Sequence, residues 1–401
     1  MNPRFVSLQR YIMERPRTKG KGVFSAFRLA VRMGGKAILA RLFSRSANAA
    51  PLICDVLLVH PSRKSYLQGR KRLFIEALRQ RGLHVEEFIE EGDGETLRLR
   101  QLVKPPQAVP FLLSWPAAHA AFLLHRYQPK AMLTERNSWI IPSFVKAFSQ
   151  RRTVVMHLAH SIPSTQSSNY DYVDYDYYLM YGHSSLEYLR TLGKGFGECT
   201  ALFAGPYFLE DTVPPTTSSA GQQLRCLFLG SGPEYETKTN YLEMCAWVRQ
   251  WAMANSVRLS VKPHPRAEGY PWRGDRVAEM VDRSLQLDEV REYFDLVLCG
   301  YTNAVLDVAR AGLPFVLLGK GRDYFQTERF DLCRANSMTE LDEACRVIRA
   351  DPCSYRERLD CFLRFHIENP YQPCSSLVEN VCRVVDGQRL LGIELVMNEE
   401  R

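Results

Sequence analysis

The sequence predicts an α/β chain of two doubly wound parallel-sheet domains facing across a cleft, preceded by a basic amphipathic helix. Three observations predict it. At 401 residues the chain fits two ordinary domains better than one. From residue 52 onward, short apolar runs alternate with amphipathic stretches, the pattern of strands covered by helices on both faces. The alternation breaks once, at a stretch rich in Pro, Thr and Ser, and then restarts.

The leader comes first. Residues 1–50 hold eleven Lys and Arg against the single acid Glu14, while the other 41 cations face 43 acids. A near-neutral body argues against nucleic acid as a partner and assigns the basic character to the leader. Segment 22–45 places Phe24, Phe27, Val31, Ile38 and Leu42 on one helical face, while Arg28, Arg32 and Lys36 stack at four-residue spacing on the other. Such a helix suits an anionic membrane surface, packing against its own domain, or a partner protein. No run reaches the roughly 18–20 apolar residues of a membrane span, so the expected location is cytoplasmic, peripheral on the inner membrane. The eleven cysteines show no Cys-x-x-Cys pair and no zinc spacing, as expected of a reducing compartment without a structural metal. Cys226 and Cys299 fall inside apolar strand patterns.

In the first domain, strands are predicted at 52–60, 84–89, 131–135, 153–160, 177–182 and 200–205, separated by helices at 66–81, 116–127, 139–150 and 183–192. A linker follows at 206–222, marked by Pro206, Pro214, Pro215 and a Thr/Ser run. The second domain reads as strands at 225–230, 258–263, 284–287, 296–301 and 314–319, with helices at 236–254 and 303–312. Helical stretches close the chain near 338–349, 354–366 and 374–386. The predicted boundaries are therefore 1–50, 51–205, 206–222, 223–372 and 373–401.

Ligands of such folds bind at the carboxyl ends of the strands, where three runs carry suitable chemistry. Gly230-Ser231-Gly232 follows one strand and lets backbone N–H groups approach an anion. Another strand ends in Lys262-Pro263-His264-Pro265-Arg266, a histidine fixed between prolines and flanked by two cations. Thr302-Asn303 opens a helix after a third strand, with Thr302 as expected N-cap. These residues are candidates for holding a phosphate-bearing donor.

The run 294–314, with Cys299-Gly300-Tyr301-Thr302-Asn303 at its strand end and Ala311-Gly312-Leu313-Pro314 at its close, resembles the donor-nucleotide segment of GT-B glycosyltransferases. Lys262-Pro263-His264-Pro265 resembles the His-Pro motif of bacterial capsule and lipopolysaccharide transferases, among them Kdo transferases, polysialyltransferases and the CDP-glycerol polymerases. The resemblance implies two Rossmann-like domains, a His264 contact to the donor phosphate or nucleotide, and Thr302 where the family has serine. The family's acidic pair plus glycine can only be Glu90-Glu91-Gly92, and Thr302-Asn303 replaces its serine pair. In the first domain, Ala159-His160-Ser161 resembles the family's strand-end histidine, with Ser161 replacing a glycine.

The expected activity is transfer of a sugar from a nucleotide donor, CMP-Kdo or CMP-sialic acid favoured, to a surface polysaccharide or glycolipid acceptor. A polyol-phosphate transferase of the CDP-glycerol kind and a sugar-nucleotide epimerase of the same fold are the alternatives. Neither a cofactor nor a metal is expected, since cations and helix N-termini can hold the leaving phosphate. The nearest Asp-x-Asp match, Asp174-Tyr175-Asp176, precedes its strand. Three residues are candidates for catalysis. Glu135, ending a first-domain strand, suits a base; His160 suits a base or an oxyanion donor; Glu234, beside the glycine loop, suits a nucleophile. The Tyr170–Tyr178 stretch, with Asp171, Asp174 and Asp176, fits either sugar contact or a plain approach to a strand.

Overall fold

The computed structural model describes residues 2–18, 22–46, 50–163, 169–192, 195–212, 223–282, 285, 287, 290–300, 302–321, 323 and 325–397. The chain divides into two compact units, Met1–Asp211 with Gln372–Arg401, and Thr212–Tyr371.

The first unit opens with two helices, α1 (Pro3–Thr18) and α2 (Gly22–Phe43). The leader was expected to hold one helix; α1 is additional. Phe5 and Leu8 of α1 are fully buried, and Phe5 stacks on Phe144 at 4.9 Å. Arg4 and Arg15 pair with Asp174 and Asp171. Part of the leader's charge is therefore spent inside the unit. On α2, Ala37 and Ala40 are buried and Lys36 reaches Asp93 at 2.7 Å.

The α/β body then runs β1 (Val56–His60), α3 (Arg63–Leu67), α4 (Arg72–Gln80), β2 (Val85–Ile89), α5 (Asp93–Arg98), α6 (Ser114–Tyr127), β3 (Ala131–Thr134), α7 (Ile141–Phe148), β4 (Val154–Leu158), β5 (Tyr177–Met180), α8 (His183–Thr191) and β6 (Gly197–Phe203). Strands β1 to β6 pair in parallel in the order β6-β5-β4-β3-β1-β2, which places the switch point between β1 and β3. Every residue of β1, β3 and β5 is buried, the reason their sequences read as unbroken apolar runs.

The second unit holds β7 (Arg225–Leu229), α9 (Pro233–Glu236), α10 (Thr239–Ala254), β8 (Arg258–Lys262), β9 (Ala278–Met280), β10 (Leu296–Cys299), α11 (Ala304–Arg310), β11 (Phe315–Leu318), β12 (Arg334–Ala335), α12 (Met338–Ala350) and α13 (Pro352–His366). Its parallel sheet has the order β12-β11-β10-β7-β8-β9, with the switch point between β7 and β10. The strand expected at 284–287 is instead β9, six residues earlier; of the expected stretch, only 285 and 287 are described, and neither is strand.

The chain finishes with α14 (Pro373–Val385) and β13 (Ile393–Met397), and both belong to the first unit. Leu377, Val378 and Val381 join Val56, Leu58, Phe74 and Leu133 in one core, and β13 pairs antiparallel with β6. The separate C-terminal segment expected at 373–401 is thus a structural part of the first unit. The linker expected from 206 also starts later: Tyr207 is buried in the same core, and residues 213–222 lie outside those described.

Candidate functional site

Each unit gathers chemistry-bearing side chains at the carboxyl edge of its sheet. In the first unit the switch point lies between β1 and β3, and Glu135 is the residue that follows β3. Glu135 is only 8% exposed. Its carboxylate pairs with Lys71 at 2.6 Å, accepts from the Ser65 hydroxyl at 2.8 Å and accepts from the Tyr207 hydroxyl. Burial alone would raise its pKa; the Lys71 ammonium and the two hydroxyls override that and hold it at about 2. Lys71 is itself pulled below the usual lysine range, because burial outweighs the attraction of Glu135. Both charges are dehydrated, so the pair fixes geometry more than it adds stability.

His160 lies two residues past β4 and is half-buried. Burial lowers its pKa, with Arg70 and Lys71 acting in the same direction against Glu135. The Glu135 backbone acts with its carboxylate to favour the charged ring, without offsetting the burial. An imidazole held neutral in this way has the properties of a general base. Glu135, with its carboxylate committed to three partners, is a weaker proton acceptor.

Three members of this cluster were not among the sequence candidates: Ser65, Lys71 and Tyr207. For Lys71 a signal existed. It stands three, four and seven residues before Phe74, Ile75 and Leu78, at the N-cap of α4 in line with its buried face, where a cation needs a partner.

Other sequence candidates in this unit are structural. Glu90 takes hydrogen bonds or ion contacts from Trp139 at 3.1 Å, Arg136 at 3.4 Å and His119 at 3.5 Å. In the 170–178 stretch all five tyrosines are buried and Asp174 is fully so, which makes it core rather than a sugar-binding loop. His157 on β4 is fully buried against Tyr175 at 4.6 Å, and burial lowers its pKa to about 3.

In the second unit three loops meet beside the β7/β10 switch point. Gly230 donates its N–H to the Lys262 carbonyl at 2.9 Å. A Cβ there would stand 3.2 Å from the His264 nitrogen and 3.3 Å from the Lys262 oxygen, so glycine permits the close approach of the two strand ends. Ser231 borders Gly300, whose Cβ position lies 3.8 Å from the Ser231 hydroxyl. His264 Nδ1 accepts from the Arg266 N–H at 3.2 Å, which puts the ring proton on Nε2. Burial and Arg266 together lower the His264 pKa, so it is a neutral donor at neutral pH. Lys262 is half-buried, and burial lowers its pKa against the pull of Asp282.

Glu234 reaches Arg266 at 3.2 Å and folds back against Gly232. Glu236, by contrast, is buried and accepts from the Gly269 N–H at 3.1 Å. Thr302 accepts from the Ala304 N–H at 3.4 Å, one residue before the N-cap position, which Asn303 occupies. Tyr301 and Ser164 lie outside the described residues. Among the described residues, no three His, Cys, Asp or Glu side chains form a metal-ligand set.

No protein-family model matches the chain, and no curated protein matches it in sequence. Solved structures do share its fold. A putative UDP-N-acetylglucosamine 2-epimerase from Listeria monocytogenes aligns over 85% of this chain and 100% of its own, with a TM-score of 0.52 and 11% identity. The glycotransferase of kitacinnamycin aligns over 84% and 100%, with a TM-score of 0.50 and 13% identity. A UDP-GlcNAc 2-epimerase from Neisseria meningitidis, bound to UDP-GlcNAc, aligns over 82% and 99%, with a TM-score of 0.50 and 12% identity. The fold is the two-unit α/β fold that GT-B glycosyltransferases and these epimerases have in common.

Proposed function

We propose that the chain is a glycosyltransferase that takes its sugar from a nucleotide-activated donor. The observation that carries the reading is the second unit's loop cluster. A glycine turn, a histidine with its proton on Nε2 and two flanking cations gather at the switch point of a parallel sheet, an arrangement suited to a phosphate-bearing ligand. The neighbours whose printed names are glycosyltransferase or UDP-GlcNAc 2-epimerase support a nucleotide sugar as the ligand.

In this reading Gly230, Ser231, Gly232, Lys262, His264, Arg266, Thr302 and Asn303 hold the donor. His160 takes the proton of the acceptor hydroxyl as its oxygen bonds to the anomeric carbon. The bond from that carbon to the phosphate oxygen breaks, and the nucleotide leaves with its charge met by Lys262, Arg266 and His264. Glu135 positions His160. Glu234 releases Arg266 when the phosphate arrives. Direct displacement of this kind inverts the anomeric centre.

The finer reading is a cytidine donor, CMP-Kdo or CMP-sialic acid, and a surface polysaccharide or glycolipid acceptor; it rests on the Lys262-Pro263-His264-Pro265 resemblance. A thermal-shift comparison of CMP, CDP, UDP and GDP tests it, since a ligand at 100 times its dissociation constant stabilises by about 2.7 kcal/mol. Stabilisation by UDP alone removes the cytidine assignment, and none by any nucleotide removes the donor site.

The epimerase neighbours favour a second reading, a sugar-nucleotide epimerase. Product analysis separates the two: a transferase leaves free nucleotide and a glycosylated acceptor, an epimerase an isomerised sugar. A polyol-phosphate transferase would instead leave an acceptor carrying an alditol phosphate, with CMP released from a CDP-alditol.

A further inference from the structure

We propose that the outward face of α2 docks the protein on an anionic lipid surface. The inference does not depend on the transferase reading. Helix α2 carries two apolar stripes. One, through Ala37 and Ala40, is buried, with Leu39 packed against the same small core as Trp115. The other is turned to solvent: Phe24, Phe27, Val31, Ile38 and Leu42 are each more than half exposed, at 66, 63, 60, 53 and 70%. At 100° per residue these five fall within a narrow sector of the helix. Phe111, 41% exposed on the short turn that packs against α2, stands next to this face with Arg41 above its ring at 4.8 Å.

Single exposed apolar residues are ordinary; five on one helix stripe are not. The sequence pattern alone left open whether this helix packs on its domain or meets a membrane. The structure has it doing the first with one stripe while the second stays uncovered.

Charge identifies the occupant. Arg32 and Lys36 turn toward Asp93 and are partly neutralised. Arg28, over the Phe24 ring at 4.5 Å, and Arg41 flank the exposed stripe instead. No acid occurs between Glu14 and Asp55. A second copy meeting this face through the same surface would set arginine against arginine. Lipid headgroups of negative charge complement it, with the phenylalanines entering the acyl boundary. No described helix is long and apolar enough to cross a membrane, so the contact lies in the interfacial plane.

The test is co-sedimentation of the full chain with phosphatidylcholine vesicles, with and without phosphatidylglycerol, at low and high salt. The triple variant Phe27→Ser/Val31→Ser/Ile38→Ser alters only exposed positions, and circular dichroism checks that it melts as the wild type does. Wild type is expected to bind the anionic vesicles, more weakly at high salt. The triple variant is expected to lose about tenfold or more in partitioning, and Arg28→Glu/Arg41→Glu to lose the preference for anionic over neutral vesicles. Wild-type failure to bind, equal binding by the triple variant, or a solution dimer that the triple variant abolishes would each overturn the proposal.

Discussion

Replacing Glu135 by Gln separates a positioning role from a reacting one. The pair it forms with Lys71 is almost wholly dehydrated, with side-chain exposures of 3% for Lys71 and 9% for Glu135. Removing one charge of such a pair leaves the other buried and uncompensated, at a cost of about 3–5 kcal/mol. In a unit of this size each kcal/mol moves the melting temperature by about 2–4 °C, so Glu135→Gln is expected to lower it by on the order of 10 °C. Lys71→Met should do the same, because the carboxylate then keeps only the hydroxyls of Ser65 and Tyr207. The double variant Lys71→Met/Glu135→Gln removes both charges, and more than half of the single-variant loss should return. Thermal melts of the four proteins measure the cycle. The pH dependence has a fixed sign. With its folded pKa depressed to about 2, Glu135 stabilises the fold above the ordinary carboxylate range, and that contribution disappears as pH falls from about 4.5 toward 2. If Glu135→Gln melts at the wild-type temperature yet transfers no sugar, the carboxylate is the reacting base and the assignment of His160 fails.

Three further outcomes follow from the same geometry. His264→Ala should abolish the thermal shift given by the stabilising nucleotide while leaving the melting temperature of the free protein within about 1 °C, since the ring bonds only a neighbouring backbone N–H on the surface of the unit. With its pKa lowered by burial, His160 is deprotonated through the neutral range; kcat/KM should be flat there and fall with an inflection below about 6.5. His160→Ala should lower the plateau by on the order of 10²–10⁴ and remove that limb, with nucleotide binding intact. Gly392→Ala would put a Cβ 2.5 Å from the Ala201 carbonyl, and urea melts should show a loss of about 1–3 kcal/mol as the β13–β6 pairing loosens.

What the sequence disclosed and what it hid divide along physical lines. Strands buried on both faces announce themselves: Val56–Val59, Leu296–Cys299 and Phe315–Leu318 are continuous apolar runs with no water-facing side to interrupt them. Edge strands do not. In β9, Glu279 and Met280 are exposed, and the apolar signal drew the expected strand to 284–287 instead. Strand β13 carries a period-two pattern, with Leu395 and Met397 buried between exposed neighbours, but only its partner β6, nearly two hundred residues away, makes that pattern a strand. The same holds for α1, anchored by Arg4 on Asp174 and Arg15 on Asp171, pairings that no local window contains.

The candidate site divides in a similar way, and the division bears on how its residues work. The loops after β7, β8 and β10 were legible because phosphate chemistry asks for glycine, cations and helix starts at strand ends, and these are local features. The first unit's cluster is assembled from α3, the start of α4 and the segments that follow β3, β4 and β6, and its members are recognised only by what they touch. Tyr207 sits in a stretch whose composition reads as linker, and Lys71 in an Arg70-Lys71-Arg72 run that reads as solvated charge. Yet an ammonium on the face shared by Phe74, Ile75 and Leu78 must meet a carboxylate inside the unit, and Glu135 is the one that meets it. A carboxylate needed for that purpose is held ionised and occupied, which is why the proposed mechanism gives the proton transfer to His160.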